Sequence, residues 1–112
     1  MKIINWREQQ IKENPHEVDV RLLYDKPEAQ ALQVTLHPGE HLKPHITPVD
    51  VFFLVIEGTP SIQIGEEKQV TEPNMLIESP MNIVHCIFNE SESIAKVLVV
   101  KAPKPLVKAR LL

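Results

Sequence analysis

Short apolar runs alternate along the chain with prolines, glycines, asparagines and clustered charges, and nothing before residue 103 requires a helix. In LQVTLH, Leu32, Val34 and Leu36 alternate with Gln33, Thr35 and His37, the period-two pattern of a strand with one face in a core. Similar runs occupy residues 17–24, 29–36, 50–57, 60–65, 68–72, 75–79, 83–88 and 95–100, rich in Val, Ile, Leu and Phe, so eight strands are predicted. The stretch VFFLVI, from Val51 to Ile56, is apolar at every position. That predicts cover on both faces, one from the barrel and the other from a second sheet or a second subunit, and so a homodimer. Gly65 stands where a two-residue type II′ turn needs a positive φ, which makes 61–71 a hairpin. The tail, residues 103–112, mixes apolar and basic residues in a pattern open to a helical turn, a swapped arm or a disordered end.

Ten prolines against three glycines favour many reversals over long helices. A chain of 112 residues with 43% apolar content has room for one core, so residues 1–112 are expected to form a single domain. Eight short antiparallel strands in that space must bury one face and protect their edges, and a jelly roll or closed barrel does both. The formal net charge of −3 offers no basic field for a phosphate backbone, so nucleic acid is not an expected partner. No apolar run is long enough to cross a bilayer, and the N-terminus turns polar at Asn5, so neither a membrane nor an export signal is expected. Cys86 is alone, which excludes an internal disulfide and points to a reducing, cytoplasmic setting.

Three of the five histidines, His37, His41 and His45, recur at a spacing of four, which would align them as metal ligands on a helix. Pro38, Gly39 and Pro44 break any such helix, whereas in extended chain His41, His45 and Thr47 share a parity. Gly39, His45 and Gly58 follow at separations of six and thirteen residues, and NMLIESPMNIVHCIFN carries Asn74, Pro80, Asn82, His85 and Asn89. These positions resemble the two motifs of the cupins, small jelly-roll barrels also described as double-stranded β-helices, across residues 39–89. Asn74 and Asn82 take the places of motif glycines, and asparagine is the residue after glycine that best tolerates positive φ. Pro73 and Asn74 also suit the centre of a type II turn.

The resemblance implies an all-β barrel whose lumen histidines hold a divalent metal such as Fe, Zn, Ni or Mn. Here His45 and His85 match the first and last family ligands, but Thr47 and Val51 stand where a histidine and a glutamate are usual. Asp50, brought in by a bulge near Pro48, or His41, on a folded-back loop, would restore a third ligand. Thr47, Val51 and Phe53 are the expected substrate-facing residues. Two function classes follow. One is a small-molecule-binding barrel, with or without a metal; the other is a metal-dependent dioxygenase, isomerase or decarboxylase acting on a small organic substrate. No lysine, arginine or second carboxylate is securely placed inside, so no general acid or base is assigned and the catalytic residues stay unknown. Cys86 is read as a small buried hydrophobe, His16 and His37 as solvated, and Trp6 as a packing anchor.

Overall fold

The structure, a computed structural model, describes all residues from Met1 to Leu112. Ten strands form in chain order: β1 Asp19–Lys26, β2 Ala29–Leu36, β3 His45–Ile46, β4 Asp50–Glu57, β5 Ser61–Ile64, β6 Glu67–Val70, β7 Leu76–Ser79, β8 Val84–Phe88, β9 Ala95–Ala102 and β10 Arg110–Leu111. They make two five-stranded antiparallel sheets, ordered β1-β2-β9-β4-β7 and β10-β3-β8-β5-β6, that face each other as a jelly-roll barrel. All eight predicted strands are present. The two that the pattern did not announce, β3 and β10, are two residues long and pair with each other, too short to leave a period in the sequence. The only helical element is a 3₁₀ turn at Trp6–Glu8, and no helix is long and apolar enough to cross a membrane.

Alternation places one residue in two on the inside of each strand. Leu32, Val34 and Leu36 of β2, Val51, Phe53 and Val55 of β4, and Val97 and Val99 of β9 meet Ile62 and Ile87 from the opposite sheet in one apolar cluster. The other face of β4 differs from expectation. Phe52 and Leu54 are only half-buried and Ile56 is exposed, because no second sheet of this chain lies over them. Across the ladder they meet Val100 and Leu98 of β9 and, beside Leu54, Leu76 of β7. The two burial environments of VFFLVI are therefore the barrel core and a partly open apolar face.

The turns adopt the conformations their residues favour. Asn74 has φ 77° and Asn82 φ 63°, and Met75 N–H donates to Glu72 O at 3.3 Å across Pro73 and Asn74, as a type II turn requires. Gly65, at φ 60°, opens the two-residue link between Ile64 and Glu67, with Glu66 outside the positive-φ set, which is the II′ arrangement. Asn89 follows β8 as a buried clamp. Its Nδ2 donates to Leu36 O and Ser93 O, both at 2.8 Å, while its Oδ1 accepts from Ser91 N at 3.1 Å and Ser91 Oγ at 2.7 Å. Its backbone bonds Gly39 and Glu40, so the turn leading to the histidine segment is tied to the end of the strand that carries His85.

The tail returns along its own barrel. Lys104 N–H donates to Pro27 O at 3.2 Å and its ammonium lies 2.7 Å from Asp25, while Leu112 N–H reaches Pro44 O at 3.2 Å beyond the β10–β3 pairing. The tail forms neither a helical turn nor a free end but a short strand, β10. The unpaired edge of β3 offers the hydrogen bonds that a strand can use.

Candidate ligand-binding site

Strands β3 and β8 run antiparallel with His45 directly opposite His85, so forty residues of separation in sequence collapse to one cross-strand pair. The ring centroids are 4.4 Å apart at 73°, and the two Nε2 atoms are 3.0 Å apart. Each ring is held from behind. His45 Nδ1 lies 2.8 Å from Lys43 O, an acceptor only, so Nδ1 carries the proton and Nε2 is an open lone pair. His85 Nε2–H can then donate to that lone pair, leaving His85 Nδ1 to accept from Ser79 Oγ at 2.7 Å. Thr47 Oγ1 sits 3.1 Å from the same His85 Nε2. In the opposite tautomer Nδ1–H would donate to Ser79 Oγ, but the two Nε2 lone pairs would then face each other at 3.0 Å, and the bond between the rings would be lost unless a donor or an ion lay between them.

Both rings are almost inaccessible, His45 at 8% and His85 at 2% exposure. Burial is the main reason that the His85 pKa falls from 6.5 to about 3, helped by the neighbouring His45, Lys101 and His16. The His45 pKa is lowered by burial and by Lys101, against an opposing pull from the Lys43 carbonyl. The pair is therefore neutral near pH 7. The lone pair of one ring and the N–H of the other are spent on each other, so a bound molecule gains a hydrogen bond here by competing with the contact between the rings. The pair borders a cavity of about 430 Å³ lined by Val51, Phe53 and Val99, together with residues of the loop before β1 and residues 105–109 of the tail. The Phe53 ring meets the His85 ring edge-on at 5.2 Å.

This barrel and its pair of facing histidines bear directly on family. The pattern that defines the Cupin domain family matches residues 32–101. The chain belongs to the cupins. Solved structures of this cupin's shape include TT1209 from Thermus thermophilus, 28% identical, with a TM-score of 0.80 over 94% of this chain and 100% of that one. The polyketide cyclase RemF from Streptomyces resistomycificus is 19% identical, with a TM-score of 0.84 over 100% of this chain and 85% of RemF. An uncharacterized protein with a double-stranded β-helix domain from Klebsiella pneumoniae is 17% identical, with a TM-score of 0.83 over 99% of this chain and 96% of that one. At those last two identities the likeness is one of fold alone. No curated protein matches the chain significantly.

In this cupin the expected site residues separate. Val51 and Phe53 line the cavity, whereas Thr47 does not and instead sets its hydroxyl against His85 Nε2. Asp50 does not join them. The β4 ladder runs without a shift from Asp50 to Val55, so the bulge that would have turned Asp50 inward is absent, and its carboxylate accepts Met81 N–H at 2.9 Å on the surface. Nor does His41, whose ring stacks on Phe88 at 5.8 Å and whose Nδ1 is 2.8 Å from Leu42 O. Phe88 is one strand position out of phase with His85 and Ile87, so His41 sits on the other side of β8. No group of three or more His, Cys, Asp or Glu side chains is placed to hold a metal. Two imidazole nitrogens 3.0 Å apart do suit adjacent positions on one ion with bonds of about 2.1 Å. This donor set thus stops one short of the three that a protein-built catalytic centre needs.

Three residues that the sequence did not mark belong to the site. His16 is half-buried, its ring 4.9 Å from that of His45, with Nδ1 accepting Lys43 N–H at 2.8 Å. Burial and the nearby His45 lower its pKa to about 4. Asn14 shapes the His16 loop, its side chain bonding His16 N, Val18 N, Lys12 O and Val18 O, while the bond from Lys43 N–H, 27 residues away, docks the ring and leaves no local signal. Ser79 is buried opposite Val51, where its parity with the end of β7 was the available clue. Lys101 continues the inward row Ala95, Val97, Val99 of β9, and its ammonium is held below the usual lysine range by burial and by Lys12. Parity alone marked it. Cys86 is as expected: 2% exposed, its thiol donating to Leu42 O, its pKa pushed up by burial to about 11.

Proposed function

We propose that this cupin binds a small organic molecule in the cavity, with the His45–His85 pair as its polar recognition element. The observation that carries the reading is the 3.0 Å contact between two buried, neutral imidazoles at the base of an apolar-walled cavity of about 430 Å³. Buried polar pairs cost stability unless satisfied, and this one is satisfied while leaving its outer edge toward the cavity. Residues of the loop before β1 and of the tail complete the lining, and Val51, Phe53 and Val99 supply apolar contact area.

The same 3.0 Å spacing favours a second reading, in which His45 and His85 hold a divalent ion whose remaining positions are taken by oxygens of an incoming chelating ligand. That arrangement would belong to the enzyme class, a dioxygenase, isomerase or decarboxylase, since an ion so bound polarises a ligand oxygen. The chain's own part would be to orient both rings through Lys43 O and Ser79 and to exclude water.

One set of measurements separates the readings. Imidazole resonances of His45 and His85 are expected to shift when small-molecule fragments are added to chelator-treated protein, and His45→Ala should lose that response while staying folded. Fragments that bind only elsewhere, or that bind His45→Ala equally well, would remove the first reading. Elemental analysis showing stoichiometric metal, with a melting temperature that rises on adding that metal, would install the second.

We also propose a homodimer formed through the face of Phe52, Leu54, Leu98 and Val100, the apolar surface that the chain leaves half-covered. Light scattering is expected to give twice the monomer mass for the native protein and the monomer mass for Leu54→Glu; a native protein that stays monomeric at high concentration would defeat the idea.

A further inference from the structure

Lys101 is an ammonium without a counter-charge. The chain's ion pairs join Arg21 to Asp19, Lys68 to Glu90, Lys96 to Glu57 and Lys104 to Asp25, and Lys101 takes part in none of them. Its position is not an accident of a loop. It lies on β9 between Gln30 of β2 and Val51 of β4, in the central part of a five-stranded sheet, and it lines the cavity beside Val99 and Val51. The ionisable groups around that cavity are Lys12, Lys101 and Lys108 against Glu13 alone, together with His16, His45 and His85, although the whole chain carries a formal charge of −3. A positive hollow in an acidic protein is a local arrangement, and an uncompensated ammonium among apolar walls is costly to keep.

We propose that the cavity is built for a small organic carboxylate, whose charged group sits on Lys101 while its other polar end meets the His45–His85 pair. This rests on the small-molecule reading above and names the class of its ligand. A carboxylate would give Lys101 the partner that the fold withholds, forming a charge-assisted hydrogen bond away from bulk water. The lumen wall between Lys101 and the histidines, formed by Val51, Phe53 and Val99, suits an apolar or aromatic body. A phosphate is disfavoured, because no arginine and no helix N-terminus lines the cavity to spread contacts over several oxygens. Lys101 is thus an anchoring residue.

The probes are 3-phenylpropionate, its neutral amide and inorganic phosphate, titrated calorimetrically into the native protein, Lys101→Met and Lys101→Arg. The acid is expected to bind at least about tenfold more tightly than the amide to the native protein, and Lys101→Met to bind the two alike, a loss of about 1.4 kcal/mol of discrimination. Lys101→Arg should keep the preference. Without any ligand, Lys101→Met should melt no lower than the native protein, because it removes a half-buried charge that has no protein partner; a clearly lower melting temperature would show an internal partner and overturn the proposal. Equal binding of acid and amide to the native protein overturns the anchor and leaves the small-molecule reading standing. Failure of both to bind at millimolar concentration counts against that reading and the anchor together. Phosphate binding in place of the acid overturns the carboxylate.

Discussion

Gly58→Ala is expected to destabilise the protein by about 3 kcal/mol, lowering its melting temperature by more than about 10 °C. Gly58 follows β4 at φ +79°, where an L side chain is strained, and a Cβ there would lie 2.4 Å from Ile94 O and 2.9 Å from Ala95 Cα. Both obstacles are backbone at the start of β9, the strand that pairs with β2 and β4 in the centre of its sheet. The usual escape, rotation of a flexible neighbour, is therefore closed. Relief requires β9 to move away from β4, and with it the row Val97, Val99 and Lys101 that forms the cavity wall. Thermal melts of Gly58→Ala beside a control such as Gly39→Ala, whose Cβ would meet nothing within 4 Å, isolate the steric part from the cost of positive φ. Equal losses for the two variants would refute the close-approach argument.

Acid should unfold the cupin earlier than its carboxylates alone would. His85 binds its proton at 6.5 when unfolded and at about 3 when native, so between those values the unfolded chain holds a proton that the native chain refuses. Stability then rises with pH through that window, and it falls by up to about 1.4 kcal/mol per pH unit as pH drops below 6.5 toward about 3. His16, lowered to about 4, and His45, also lowered, act in the same direction, and Lys101 facing them strengthens it. Urea denaturation from neutral pH down to about pH 4 is expected to show this slope, and His85→Asn should flatten it. A midpoint that is constant across that range, or an unchanged slope in the variant, would contradict the buried neutral pair. Ligand binding is expected to fall over the same range, since protonation destroys the lone pair and N–H arrangement.

How much of this was legible depended on whether the cause was local. The alternation in LQVTLH and its sister runs located eight strands, because a side chain's face is decided by its own position in a pleated strand. Asn74 and Asn82 could be read as positive-φ residues for a similar reason, and both have that conformation. Asp50 shows the limit. Its chemistry made it attractive as a ligand, but facing inward needed a bulge near Pro48, and the unbroken pairing of β4 with β9 holds it outward. His41 was attractive by spacing, and a bridge to Phe88 placed it on the far side of β8. Lys101 has the parity of Val97 and Val99, but the apolar run ends at residue 100, one position before it, so the pattern assigned it no face.

Neighbours along the chain were enough to locate the strands, the turns and the apolar row on each inner face, while the resemblance to the cupin motifs singled out His45 and His85. Folding in three dimensions was needed to make these two rings touch, to orient them with Ser79 and Lys43, to fold His16 onto them, and to bring Lys101 into their cavity without a partner. Backbone conformation and facing are local properties, set within a few residues of each position. A polar site instead depends on register between strands tens of residues apart, where a shift of one residue sends every side chain to the opposite face.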